Sequence, residues 1–242
     1  MFDRIQLGYR QRFRALLARV QPKRLDFGVE LLMKRAWQRS EREGVPVPRA
    51  LFELFELTRQ RVDRRVALMQ ACAVAPPDGT ALAPEHARFL CDESLGGLAR
   101  WLRAAGYPAR ALRGLRGDAL IAEARRDGGV LVTTDSRLWE RRAILDRAIR
   151  AIWMPSGLDR VSQLAMLLRD LQLPLREPRC MGCGGPLVAT PKDAVRERIP
   201  PRTARWRDDY FVCGSCGQLF WRGTHWERIA GRLAGLGVPR RV

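Results

Sequence analysis

Arg88-Phe-Leu-Cys-Asp-Glu-Ser-Leu-Gly-Gly-Leu-Ala-Arg-Trp-Leu-Arg-Ala-Ala-Gly-Tyr107 reads as a short buried strand that delivers an acid pair straight into a helix. Phe89 to Cys91 form an apolar run, Asp92 and Glu93 end it, and Leu95, Leu98, Ala99, Leu102 and Ala105 then recur at helical spacing until Gly106 stops them. An acid at the carboxyl end of a strand lies on the rim of an open α/β sheet, where ligands bind.

Downstream the alternation repeats. Residues 108–112 predict a second short strand and 113–117 a loop, with Asp118 placed to cap a helix carrying Leu120, Ile121 and Ala124. Val130-Leu-Val-Thr-Thr134 is short, β-rich and apolar, and Asp135 follows it directly. A helix over 136–143, a strand over 150–154 and a helix over 159–171 complete the pattern. Short connections between alternating β and α elements imply a parallel sheet with helices on both faces.

The chemistry follows from the strand ends. If the first and third strands are neighbours, Asp92 and Asp135 project from one edge and Asp118 approaches them. Three carboxylates within ~5 Å repel by roughly 3 kcal/mol per pair at an effective dielectric of about 20. A hard divalent cation relieves that repulsion, and oxygen ligands without histidine point to Mg²⁺ or Mn²⁺. Such a site suits phosphodiester hydrolysis. Taken alone, Asp118 is equally an ordinary helix-start residue. A response-regulator receiver shares the acid arrangement but needs a lysine late in the sheet, and Trp153-Met-Pro-Ser156 offers none.

The second signal is Cys180-Met-Gly-Cys183 with Cys213-Gly-Ser-Cys216, two knuckles separated by 29 residues. This is the spacing of a four-thiolate zinc ribbon, a closed shell with a structural role; a redox dithiol or an iron-sulfur site is the lesser reading. Cys72 and Cys91 have no partner at ligand spacing and read as small core residues. Between and after the knuckles, Arg202, Arg205, Trp206, Arg222 and His225 interleave cations with aromatic rings, a combination that clamps phosphates and stacks unpaired bases. Trp206, Trp221 and Trp226 divide between that role and packing of the ribbon. Arg100 and Arg103, on the helix after the acid pair, are further candidate phosphate contacts.

Composition sets the frame. The 242 residues carry a formal charge of +18, which favours a polyanionic partner, although lysine occurs only at 23, 34 and 192 and the arginine skew also fits a GC-rich genome. Residues 1–75 predict two or three amphipathic helices. One face holds Ile5, Phe13, Leu16, Leu17 and Val20; after a break at Pro22 come Phe27, Leu31, Leu32 and Trp37; a third holds Leu51, Leu54, Phe55, Val62, Val66 and Met69. This region is either a small helical domain or a basic module for RNA, the ribosome or a protein partner. Residues 76–87 read as a linker, with His86 a surface residue. No stretch approaches the ~20 apolar residues of a membrane span, and no signal peptide opens the chain, so a cytoplasmic location is expected.

The block from Phe89 to Tyr107, then Asp118, then Leu131-Val-Thr-Thr-Asp-Ser136, with Gln218-Leu-Phe-Trp-Arg-Gly-Thr-His-Trp226, resembles the mut-7 C-terminal RNase domain family, PIN-like ribonucleases followed by a zinc ribbon. The resemblance covers residues 88–228. It implies a PIN-like parallel sheet flanked by helices and metal-dependent RNA cleavage, and it carries the acidic role onto Asp92, Asp118 and Asp135. Glu93 and Ser136 stand where a non-acidic residue and an arginine are more usual, so Glu93 is either an additional metal carboxylate or a bystander. The helical N-terminus also differs from the ubiquitin-like domain that precedes this module in many relatives. The expected organisation is a helical region over 1–75, a linker over 76–87, a PIN-like nuclease over 88–177, a zinc ribbon over 178–228 and a basic tail over 229–242. The expected function is a metal-dependent ribonuclease; the rival reading is a non-catalytic zinc-ribbon protein that binds RNA or the ribosome.

Overall fold

The computed structural model describes residues 2–20, 24–74, 82–155 and 157–240, without the side chains of 2–3 and 68–74. The first half of the expected linker at 76–87, residues 76–81, therefore lies outside the described residues, as do the break at Pro22 and the side chains of Met69 and Cys72. Two units form, residues 1–73 with 155–157 and residues 74–154 with 158–242.

The first unit is three helices, α1 (Phe2–Ala18), α2 (Leu25–Glu43) and α3 (Val47–Val74). Phe13, Val29, Met33, Ala36 and Leu51 make its core, and Phe55 meets Phe13 edge-on at 5.5 Å. On α2 the buried stripe differs from the expected one. Val29, Met33 and Ala36 point inward, while Phe27 and Leu31 are exposed. Both stripes have helical spacing, and the choice between them is made by what α1 and α3 present, which periodicity along one helix does not encode.

The second unit is built on a parallel sheet of β1 (Phe89–Asp92), β2 (Ala109–Leu112), β3 (Val130–Thr133) and β4 (Ala151–Trp153), in the order β2-β1-β3-β4. Both central strands are buried at every residue, as expected of a sheet covered on both faces. Between and after the strands run α4 (Gly96–Ala104), α5 (Asp118–Asp127), α6 (Arg142–Leu145) and α7 (Arg160–Asp170). Leu98, Ala99 and Leu102 of α4 pack with Leu164, Leu167 and Leu168 of α7 over Phe89, Cys91, Val130, Val132 and Ile152. Leu90 and Leu131, one residue out of phase, are buried on the opposite face. The connections from β1 and β3 leave in opposite directions, so the crevice outside their carboxyl ends is the topological switch point of the sheet.

The ribbon is an antiparallel sheet of β5 (Leu187–Thr190), β6 (Tyr210–Cys213) and β7 (Leu219–Trp221). Val195, Ile199 and Tyr210 form its small core, against which Trp221 packs. A short helix α8 (Pro201–Ala204) lies between the knuckles and α9 (Thr224–Ala234) follows β7. Over its described part, residues 229–240, the expected basic tail over 229–242 is not a tail. Leu233, Leu236 and Val238 return to the core under the parallel sheet, and the Leu175 amide donates to the Pro239 carbonyl at 2.7 Å. The three apolar residues outweigh the arginines around them because the stems of exposed arginines tolerate a packed surface.

The link between sheet and ribbon runs along the end of α4. Gly106 turns the chain with φ 95°, and a Cβ there would collide with the Arg176 side chain and the Glu177 carbonyl. The tight turn lets Arg176 N donate to Ala105 O and Arg179 N to Arg103 O. Among the described residues no helix is long and apolar enough to cross a membrane.

Candidate active site

Asp92 closes β1 at the switch point and is 7 % exposed. Its Oδ1 accepts from Ser94 Oγ at 2.5 Å, and its Oδ2 accepts from Thr133 Oγ1 at 2.9 Å, Thr134 N at 2.7 Å and Thr134 Oγ1 at 3.1 Å. The register that pairs Cys91 with Val132 sets Asp92 beside the end of β3, which is why residues about forty positions away complete its cage. All four donors are uncharged hydroxyls or an amide, so the carboxylate is oriented without being neutralised.

Asp135 follows β3 and caps a 3-10 turn over Ser136–Glu140. Thr133 Oγ1 accepts from its amide at 3.0 Å. Its carboxylate is held by Arg137, whose amide donates to Oδ1 at 3.1 Å while Nε and Nη2 fork onto Oδ1 and Oδ2, each at 3.0 Å. The pairing raises the Arg137 pKa, chiefly through the side-chain hydrogen bond. Asp118 stands in the first turn of α5, with Gly117 rather than Asp118 as the capping residue. Its side chain is 73 % exposed and pairs with Arg141 Nε at 3.2 Å. Glu93 and Arg100 are exposed.

The acids share one edge of the sheet, yet they are not drawn into a common shell. Among the described residues, no three of the carboxylates place ligand oxygens within 4.8 Å of one another. Like charges separate, and Asp118 and Asp135 each take an arginine instead. Reading the sequence picked out the acids but missed their supports: Ser94, Thr133, Thr134, Arg137 and Arg141. The signal available was the hydroxyls two positions from each strand-end aspartate. It also missed Arg160, at the start of α7, whose side chain lies across Gly97 so closely that an added Cβ would collide with it.

The sequence profile of the Mut7-C RNAse domain matches residues 87–233, more than half of the chain. The chain belongs to the Mut7-C RNAse domain family. Neither the curated proteins nor the solved structures compared with it contain a match. Membership makes it a ribonuclease-type domain with RNA as the substrate class, and the resemblance read from Phe89 to Tyr107 holds.

In this Mut7-C chain the four knuckle cysteines converge, their Sγ atoms all within 4.8 Å, and form a cluster able to bind a metal such as zinc. Cys180 and Cys216 Sγ lie 3.7 Å apart, Cys183 and Cys213 Sγ 3.5 Å apart. A tetrahedron with Zn–S arms of about 2.3 Å has edges of about 3.8 Å, so the spacing fits. The Gly185 and Ser215 amides point at Cys183 and Cys213 sulfurs. Amides of Cys216 and Ser215 bring the Cys213 thiol down to about 6. Cys216 is pushed up to about 12 by the Cys183 and Cys213 thiols, against the pull of the Gln218 amide. A second thiolate beside the first is thus opposed until a cation stands between them.

Arg103, expected among the phosphate contacts, is instead a buried clamp. Its Nε donates to Ala109 O at 2.8 Å, and its Nη1 to Met181 O at 2.8 Å and Gly182 O at 2.6 Å, carbonyls of the first knuckle. A buried guanidinium needs such acceptors, and the knuckle carbonyls supply them. Of the three tryptophans weighed for RNA, Trp221 packs in the ribbon core, Trp226 stacks on Phe211 at 5.6 Å, and Trp206 is 81 % exposed. Arg222 covers the Phe211 ring at 5.6 Å, and Arg202, Arg205 and His225 are exposed.

Proposed function

We propose that this Mut7-C chain is a metal-dependent ribonuclease acting in the cytoplasm, with Asp92, Asp118 and Asp135 as the acids for Mg²⁺ or Mn²⁺ and structural Zn²⁺ in the thiolate cluster. The observation that carries the reading is Asp92, a carboxylate oriented by four uncharged donors at the switch point of a sheet in a ribonuclease family. The donor set fits a hard cation, since every candidate ligand is a carboxylate oxygen and Asp92 Oδ1 accepts one hydrogen bond and keeps a lone pair. A divalent ion held there supplies an activated water nucleophile and neutralises charge developing on the phosphate.

The chain's own residues divide the remaining work. Ser94, Thr133 and Thr134 fix the Asp92 carboxylate; Asp118, in the first turn of α5, and Asp135, on the loop after β3, turn toward it; Glu93 adds a carboxylate to the same edge. Arg100 and Arg160 meet the RNA backbone near the acids. Arg202, Arg205, Trp206, Arg222 and His225 hold single-stranded or structured RNA on the ribbon, with the Trp206 indole as a stacking surface. The helical unit, which exposes Leu7, Phe27 and Phe52, serves as a surface for the ribosome or a protein partner.

The test is cleavage of end-labelled single-stranded and hairpin RNAs with Mg²⁺ or Mn²⁺, alongside EDTA and Asp135→Asn. Cleavage that needs both metal and Asp135 is the expected result. One observation favours the non-catalytic, RNA-binding reading: Asp118 and Asp135 are ion-paired rather than gathered. Tight RNA binding with no more cleavage than the variant would establish that reading instead.

A further inference from the structure

We infer that Arg137 and Arg141 are exchangeable counterions of the acidic site: they neutralise Asp135 and Asp118 until a divalent cation displaces them, and both guanidiniums then turn to the phosphates of the RNA. Metal and RNA consequently bind cooperatively. This rests on the ribonuclease reading above and adds to it a mechanism of coupling.

Three features lead there. Two of the three acids are each paired to an arginine, and both arginines come from the short segment directly after β3. The Arg137 fork covers both oxygens of Asp135, the atoms a metal would need, so guanidinium and cation cannot both occupy them. Among the described residues no arginine pairs with Asp92; its partners are hydroxyls and an amide, which leaves one carboxylate without a counterion as the landing point for an incoming cation.

The arginines face solvent, the Arg137 and Arg141 side chains being 78 % and 52 % accessible. The Arg141–Asp118 pair, with Asp118 73 % accessible, holds weakly in water; the Arg137 fork on Asp135, whose side chain is 21 % accessible, is the tighter of the two. A divalent ion brings two charges to a site where each arginine brings one, and it draws the carboxylates together instead of apart. Once displaced, the two arginines remain tethered to the edge as uncompensated cations. Each then has a planar fork suited to a phosphate.

Linkage makes the inference testable without turnover. Mn²⁺ binding is followed by the electron paramagnetic resonance of free Mn²⁺, with the thiolate cluster kept loaded with zinc. Arg137→Gln and Arg141→Gln each remove a competitor and should tighten Mn²⁺ by about two- to fivefold. Arg142→Gln is the control for the general loss of positive field, since Arg142 is exposed on the same segment and makes no ion pair among the described residues. In parallel, affinity for a 2′-O-methyl RNA single strand is measured with and without Mn²⁺. Metal should strengthen binding by wild type, and most of that gain should vanish in the Arg137→Gln/Arg141→Gln double variant. Mn²⁺ affinities equal to the Arg142→Gln control, or an undiminished metal gain in the double variant, overturn the exchange while leaving the metal site standing. Absence of any Mn²⁺ binding that Asp92→Asn removes overturns the ribonuclease reading and the exchange together.

Discussion

Asp92 and its hydroxyl cage set the residue scale. Thr134 reaches Asp92 through both its amide and its Oγ1, so Thr134→Val removes one donor and leaves the other. Losing a hydrogen bond that orients a metal-binding carboxylate weakens metal binding by about tenfold at the lower end of the range. Thr134→Val should therefore lower Mn²⁺ affinity about tenfold with little change in melting temperature, whereas Asp92→Asn should reduce cleavage by on the order of 100-fold or more. Titration calorimetry and single-turnover cleavage separate the two. Trp206, with its indole in solvent, gives the complementary case: Trp206→Ala should leave the melting temperature unchanged and weaken single-stranded RNA by about 1–3 kcal/mol, read by anisotropy of a labelled oligonucleotide.

Elements depend on residues that join them, and α7 and α4 illustrate two kinds of joint. Asp159 caps α7, accepting from the Val161 and Ser162 amides and from Ser162 Oγ. The Ser162 side chain, then the Ser162 and Val161 amides, hold its carboxyl below the ordinary aspartate value. A carboxylate with a lowered folded pKa stabilises above its unfolded pKa, and the benefit is lost as pH falls through the folded value. Asp159→Asn should thus melt lower than wild type at pH 7, with the difference closing in acid below about pH 4, the usual aspartate value. Thermal melts across that range decide it. Arg103 is the second kind of joint, tying α4 to the start of β2 and to the first knuckle. Arg103→Ala strands the Met181 and Gly182 carbonyls and should destabilise the unit by about 2–4 kcal/mol in urea unfolding. Arg103→Lys, with one ammonium in place of a fork, should recover only part of that.

At the scale of the whole molecule the parallel sheet and the ribbon have separate cores, the first centred on Leu98 and Leu164 and the second on Val195 and Tyr210. The ribbon is too small to stand on its apolar core alone, and metal bound by four thiolates contributes on the order of 10 kcal/mol in comparable folds. Stripping zinc should therefore open the ribbon first. Hydrogen exchange should show β5 to β7 losing protection while β1 and β3 retain theirs, with α4 loosened at its Arg103 end. Equal loss across both sheets would mean that one cooperative unit spans them.

What was legible in the sequence was local. The run from Phe89 to Gly106, the strand at Val130, the aspartates that end both strands and the two Cys-x-x-Cys knuckles are patterns a few residues long, and a few residues of backbone geometry suffice to produce them. Less legible were choices that depend on a partner: the stripe of α2 that turns inward, and the return of Leu233 and Leu236 to the core. Only tertiary structure decided the state of Asp92 and Asp118, because Thr133 and Thr134 reach Asp92 from the end of β3 and Arg141 reaches Asp118 by strand order and loop course, whereas Arg137 lies only two residues after the Asp135 it neutralises. Arg103 makes the same point over a longer distance. Its charge suggested a phosphate, but burial against carbonyls nearly eighty residues away turned it into a structural clamp, since a buried guanidinium is stable only where acceptors surround it.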